Sequence, residues 1–159
     1  MNEANVINVK MAEAQVGKAP LVFKAPGLGS CVAICLYDPI LKTGGLAHAM
    51  LPSLADWEGT EAPSNPMCFA DYAIDWMVAE LKKLDSTLSI LEAKIVGGAD
   101  MFKLDKGNPG SIGSQTVKVI EEKLKSLGIK LKSEDVGENV GRSVSFDLET
   151  GTVTVSTKM

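Results

Sequence analysis

Hydrophobic positions along the chain fall into two kinds of run. Val32-Ala33-Ile34-Cys35-Leu36-Tyr37 is apolar at every position and stops at Asp38-Pro39, and a second such run spans Leu46 to Leu51. Continuous short runs bounded by turn residues suit strands buried on both faces rather than half-exposed ones. Elsewhere the period is helical. From Pro66 to Leu84 the residues Ala70, Ala73, Ile74, Met77, Val78, Leu81 and Leu84 recur on one face, with Asn65 placed to cap and Pro66 in the first turn. A second amphipathic helix is predicted from Ser111 to Leu127 on Ile112, Val119, Ile120, Leu124 and Leu127, stopped by Gly128.

The remaining elements are strands. Residues 5–12 and 20–24 predict two, separated by a polar stretch with Gly17 and Pro20, and Pro26-Gly27-Leu28-Gly29-Ser30 is a tight connection that breaks any strand. Ile90 to Val96 closes at Gly97-Gly98, while the stretch from Pro52 to Pro66, with three prolines and Trp57, has no period and is a long loop. The tail alternates over Ile129 to Asp135, Val144 to Leu148 and Thr152 to Thr157, the last two joined through Glu149-Thr150-Gly151 as in a hairpin. Strands at both ends with helices between them predict an α/β fold: one compact layered domain over residues 1–159, with a mostly antiparallel or mixed β-sheet sandwich and two main helices.

Composition narrows the function. A length of 159 residues suits one domain, and 45% hydrophobic with 23% charged residues is ordinary for a soluble globular protein. A net charge of −4 argues against neutralising many phosphates, so nucleic acid is not expected as a partner. The amino terminus has two acids and no long apolar run, so neither signal peptide nor membrane insertion is expected, and the chain is placed in the cytoplasm. Three cysteines, Cys31, Cys35 and Cys68, lack the spacing of a disulfide scaffold and leave at least one thiol free.

The candidate chemistry rests on one histidine. His48 is the sole histidine of the chain, seventeen positions after Cys31, and histidine alone has an unperturbed pKa near neutrality. If the two apolar runs form an antiparallel hairpin in which Tyr37 faces Gly44 and Ala33 faces His48, strand parity puts Cys31 and His48 on one face as diagonal neighbours. Diagonal Cβ atoms lie roughly 7 Å apart. A nearby imidazolium would lower the thiol pKa and make Cys31 a nucleophile. The bend at Gly29 and Ser30 would aim backbone N–H groups, that of Cys31 among them, at one point; such donors stabilise an oxyanion by roughly 3–4 kcal/mol each. The bland alternative is that Cys31 is a small buried hydrophobe and His48 a satisfied structural residue. No metal or cofactor is expected, because Cys31 and Cys35 are separated by about 13 Å of extended strand, too far to share one zinc.

These blocks also carry a resemblance. Gly27-Leu28-Gly29-Ser30-Cys31-Val32-Ala33-Ile34-Cys35-Leu36-Tyr37-Asp38 followed by Gly44-Gly45-Leu46-Ala47-His48-Ala49-Met50-Leu51-Pro52 resembles the signature of the chemoreceptor glutamine deamidases, the CheD family. Ala93 to Phe102, Ile112-Gly113, Glu134 to Gly137, Gly141 to Val144 and Thr150-Gly151 extend the likeness over nearly the whole chain. It implies a domain similar to the catalytic core of the cytotoxic necrotizing factor toxins, with Cys31 and His48 as the catalytic pair. Glutamine side chains of methyl-accepting chemotaxis receptors would be the substrate, hydrolysed to glutamate through a thioester. The resemblance equally implies a CheC-type phosphatase as partner, which would make the chain a regulatory binding module, with Phe102 either near the partner surface or packed on the sheet. Trp57 is expected either to close over a receptor helix or to cover the core edge. In one respect the chain departs from the pattern: Ala25 stands where the family usually has a threonine that orients the histidine, and a backbone carbonyl is the expected substitute. Arg142, in a glycine turn far along the sequence from Cys31, is read as structural.

Overall fold

The computed structural model describes residues 5–57, 61, 64–100 and 110–158. Nine strands are found among them: β1 (Val6–Asn8), β2 (Ala14–Lys18), β3 (Val22–Leu28), β4 (Val32–Asp38), β5 (Thr43–Ala49), β6 (Glu92–Gly97), β7 (Lys130–Val136), β8 (Gly141–Asp147) and β9 (Val153–Lys158). Two helices, α1 (Ala70–Lys83) and α2 (Ile112–Leu127), flank β6 in the chain. The strands form two mixed sheets, in the orders β1-β3-β8-β9 and β2-β5-β4-β6-β7, in which only the pairs β1–β3 and β6–β7 are parallel.

Parity along β4 explains the layering. Val32, Ile34 and Leu36 point into a core shared with Ile74, Met77 and Leu81 of α1 and Ile120 and Leu124 of α2. Ala33, Cys35 and Tyr37 point the other way, into a core shared with Phe23 and Ala25 of β3 and Val144 and Phe146 of β8. The five-stranded sheet is therefore covered on both faces, which is why its central strands read as unbroken apolar runs. Each large aliphatic side chain so buried contributes about 1.5–3 kcal/mol.

The α/β sandwich with two helices is the fold expected from the sequence, with three local differences. β2 is an additional strand, an edge strand paired antiparallel to β5, in a short segment where only Ala14 and Val16 turn apolar side chains to the core. β3 runs through Pro26 and Gly27 to Leu28 instead of ending before them; a bulge between Ala25 and Leu28, with Gly27 at φ 67°, absorbs the proline on a strand whose N–H row it would otherwise interrupt. The helix predicted from Pro66 is split. Asn65 caps a single 3₁₀ turn, Pro66–Cys68, by accepting from the Met67 N–H at 3.2 Å, and Phe69 then extends at φ −87°, ψ 132° before α1 begins. Phe69 is fully buried and bridges to Leu51, so tertiary pairing outweighs continuous helix there. Helix α2 follows the expectation: the Ser111 hydroxyl accepts from the Ser114 N–H, and Gly128 closes the helix in the left-handed conformation at φ 73°.

Candidate active site

The β4–β5 hairpin has the register that parity required. Tyr37 pairs with Gly44, Ala33 with His48 and Val32 with Ala49, so Cys31, one residue before β4, is diagonal to His48 at the open end of the hairpin. Both lie on the side of the sheet that faces the second sheet, where Cys31 packs at the margin of the core containing Ala33 and Leu46. Cys31 is half-buried, whereas Cys35 and Cys68 are buried; all three thiols are free. Burial pushes Cys35 up to about 12, against a smaller opposing pull from Lys94.

His48 is locked from three directions. Its backbone N–H donates to the Glu13 carbonyl and its carbonyl accepts from the Ala12 N–H, each at 2.9 Å, so the turn leading into the edge strand β2 clamps the residue. Its ring Nδ1 lies 3.0 Å from the Val9 carbonyl. A carbonyl can only accept, so Nδ1 carries the proton and Nε2 keeps its lone pair. That atom is the one buried side-chain nitrogen or oxygen without a hydrogen-bond partner among the described residues. Ala25, buried in β3 opposite Val144, has no hydroxyl to offer, and the Val9 carbonyl makes the orienting bond instead.

The bend carrying Cys31 is held by its carbonyls. Gly98 N–H donates to the Cys31 carbonyl at 2.9 Å and Ala99 N–H to the Gly29 carbonyl at 3.0 Å. The N–H groups of Gly29, Ser30 and Cys31 donate to no protein acceptor among the described residues. Consecutive N–H groups that meet no protein acceptor among the described residues, beside a thiol, could serve as oxyanion donors. Gly97 makes the close approach possible, because at φ 117° a side chain there would run into the Cys31 carbonyl.

The electrostatics correct one expectation. Burial pushes the Cys31 thiol above its ordinary value. Burial likewise lowers His48 below the usual imidazole range, only partly opposed by its bond to Val9 and by the Glu13 charge. A thiolate–imidazolium pair at rest, expected from proximity, is thus disfavoured on both sides, and the thiol makes no hydrogen bond to Nε2. The arrangement suits a neutral imidazole that takes the thiol proton as attack begins; catalytic hydrogen bonds often tighten only when substrate is bound.

Of the other residues singled out from sequence, Phe102 lies outside the described residues. Trp57 packs edge-on to Phe69 with ring centroids 5.4 Å apart and donates through Nε1 to the Glu61 carbonyl, yet stays 40% exposed. It covers the core edge with one side and lines a surface groove of about 460 Å³ with the other, facing Ile112 and Val119 of α2. Arg142 is 3% exposed and pairs through its backbone with Leu28, close to the bend that its sequence position seemed to exclude. Val9 and Glu13 escaped the sequence reading, since main-chain carbonyls leave no mark in residue type. Among the described residues no group of three or more His, Cys, Asp or Glu side chains is placed to hold a metal, and no helix is long and apolar enough to cross a membrane.

Fold and site together define a class: an α/β sandwich that presents a half-buried thiol and a tautomer-locked imidazole at the open end of one hairpin. The CheD family, described as CheD chemotactic sensory transduction, matches residues 50–157, and the chain belongs to it. Over 155 residues it is 43% identical to a Desulfitobacterium hafniense protein named "Probable chemoreceptor glutamine deamidase CheD", covering 97% of this chain and 94% of that one. A Clostridium botulinum protein of the same name is 45% identical over 152 residues, covering 95% and 92%. Among solved structures, the Bacillus licheniformis hypothetical protein YfiH aligns with a TM-score of 0.46 and 17% identity over 77% of this chain and 49% of that one, a likeness too loose to bear on the site.

Proposed function

We propose that the chain, as one domain over residues 1–159, is a cytoplasmic protein-glutamine deamidase acting on chemoreceptors, with Cys31 as nucleophile and His48 as general base and acid. The diagonal placement of Cys31 and His48, with Nε2 left free, carries the reading, and the names of the relatives supply the substrate class. His48 Nε2 takes the thiol proton as the Cys31 sulfur bonds to the γ-carboxamide carbon of a receptor glutamine. The oxygen gains negative charge and is met by N–H groups of the bend at Gly29, Ser30 and Cys31. The C–N bond then breaks, ammonia leaves with the proton returned by His48, and a thioester remains. His48 next draws a proton from water, whose oxygen adds to the thioester carbon; the C–S bond breaks, giving glutamate and free thiol. The neutral resting state of the pair suits this sequence, because the proton moves only when the oxyanion donors can offset the charge that develops.

A second reading, a regulatory module that binds a CheC-type phosphatase, draws on Ala25 in place of the usual threonine and on the missing thiol–imidazole hydrogen bond. Mass spectrometry of receptor fragments incubated with the wild-type chain decides between them. Conversion of glutamine to glutamate that disappears in Cys31→Ala supports the enzyme; phosphatase capture without any conversion supports the module.

A further inference from the structure

A buried guanidinium links both ends of the segment that carries Cys31. Arg142 pairs through its backbone with Leu28, the last residue of β3 before the bend. Its side chain turns to the connection between β7 and β8: Nε donates to Asp135 at 3.1 Å, and Nη1 donates to the carbonyls of Gly137 at 2.9 Å and Val140 at 3.2 Å. That connection holds Gly137 at φ 82° and Glu138 at φ 57°, backbone angles that a non-glycine residue adopts only when its surroundings impose them. From the same turn, Gly137 N–H donates to the Gly97 carbonyl at 3.0 Å, and the Glu138 carbonyl accepts from Asp100 N–H at 2.8 Å. The strip Gly97 to Asp100 is thereby fixed on one side, and on its other side Gly98 and Ala99 hold the Cys31 and Gly29 carbonyls.

From this chain of contacts we infer that Arg142 is a positioning residue: through the Gly137–Glu138 turn and the Gly97–Asp100 strip it sets the backbone of the Gly29–Cys31 bend. The consequence for rate rests on the deamidase reading above; the consequence for the bend does not. A guanidinium suits the task because its rigid fork reaches one carboxylate and two carbonyls at once, which a lysine ammonium on a flexible stem does not reproduce. Misplacing reacting groups by about 1 Å costs on the order of a hundredfold in rate even when the altered residue is remote.

The test compares Arg142→Lys, Asp135→Asn and a stability control, Ile74→Val, by hydrogen exchange and steady-state deamidation. Asp135 is half exposed, so its substitution by asparagine takes the charge out of one guanidinium bond while leaving an acceptor oxygen, in a chain that still folds if Arg142→Lys does not. Arg142→Lys is expected to speed exchange of the Gly98 and Ala99 amides at least about tenfold relative to those of the β4–β5 hairpin. It is expected to lower kcat about a hundredfold with KM nearly unchanged, and Asp135→Asn to shift both in the same direction by less. Exchange at Gly98 and Ala99 that matches wild type in both variants, or that rises uniformly over all amides as in Ile74→Val, overturns the inference. So does a fall in kcat without local exchange. If the wild-type chain deamidates nothing, the deamidase reading fails and the exchange result still decides the role of Arg142.

Discussion

The two ends of the β4–β5 hairpin are built on opposite rules. At the closed end, Asp38, only 2% exposed, accepts from the Ile40 and Leu41 N–H groups at 2.9 Å and from the Ser86 hydroxyl at 2.7 Å, while Thr43 and Ser86 share a further bond. Every polar group there has a partner, and the cluster pins the register on which the rest depends. At the open end, His48 Nε2 and the N–H groups of Gly29, Ser30 and Cys31 meet no protein partner among the described residues. An unpaired buried atom such as Nε2 costs free energy, whereas the bend belongs to exposed or half-buried residues whose N–H groups can meet water. Side-chain hydrogen bonds are concentrated at the turn and the proposed chemistry at the mouth, five residues apart from Thr43 to His48 along a strand that spans ~3.3 Å per residue.

Substitutions at the two ends should separate accordingly. Cys31→Ala removes the proposed nucleophile and is expected to cut deamidation below detection, on the order of 10⁶-fold by analogy with other nucleophile deletions. Its melting curve should stay close to wild type because the thiol is only half-buried. His48→Asn should cost about 10³-fold in kcat, read in the same mass-spectrometric assay, while its amide nitrogen, placed as Nδ1 is, can still donate to the Val9 carbonyl. Asp38→Ala acts at the other end: stranding three donors should lower stability by about 2–3 kcal/mol, measured by urea denaturation, with kcat of the folded fraction unchanged. If Asp38→Ala instead lowered kcat without lowering stability, the division between the two ends would be wrong.

The smallest effects are in pH. His48 lies below the ordinary imidazole range because it is buried, and it must be neutral to accept a proton, so deamidation should persist as pH falls through 6.5, where a free imidazole would be half protonated. The sign for stability is opposite in sense. The unfolded chain binds the proton more readily, so His48 contributes stability that is present above pH 6.5 and lost as pH falls from there toward its depressed folded value. Because burial raises the Cys31 thiol, alkylation by iodoacetamide should climb with pH through the ordinary thiol range and beyond it. A plateau of reactivity at acidic pH would instead mark a thiolate–imidazolium pair at rest.

The hairpin was legible from its two apolar runs and the turn at Asp38-Pro39, but unbroken runs carry no parity and the register itself came from the structure; α2 was legible because Ser111 and Gly128 mark its ends. β2 was not legible, since the alternation of Ala14 and Val16 with Gln15 and Gly17 is too short and weakly apolar to mark a strand, and it is pairing with β5 that makes it one. Nor was the break at Phe69, where a strand-like bridge to Leu51 overrides a favourable helical pattern. The expectation that a carbonyl replaces the threonine at Ala25 could be framed from residue types, but which carbonyl could not.

What the amino-acid order determined by itself is most of the elements and, once the hairpin register is given, the shared face of Cys31 and His48, because side-chain alternation along a strand is a local property of the backbone. Only the tertiary structure decided how the imidazole is turned, which donors remain free and whether the thiol is ionised. Those depend on the Val9 carbonyl, on the Gly98 and Ala99 N–H groups and on burial, and each is a property of chain segments brought together from a distance.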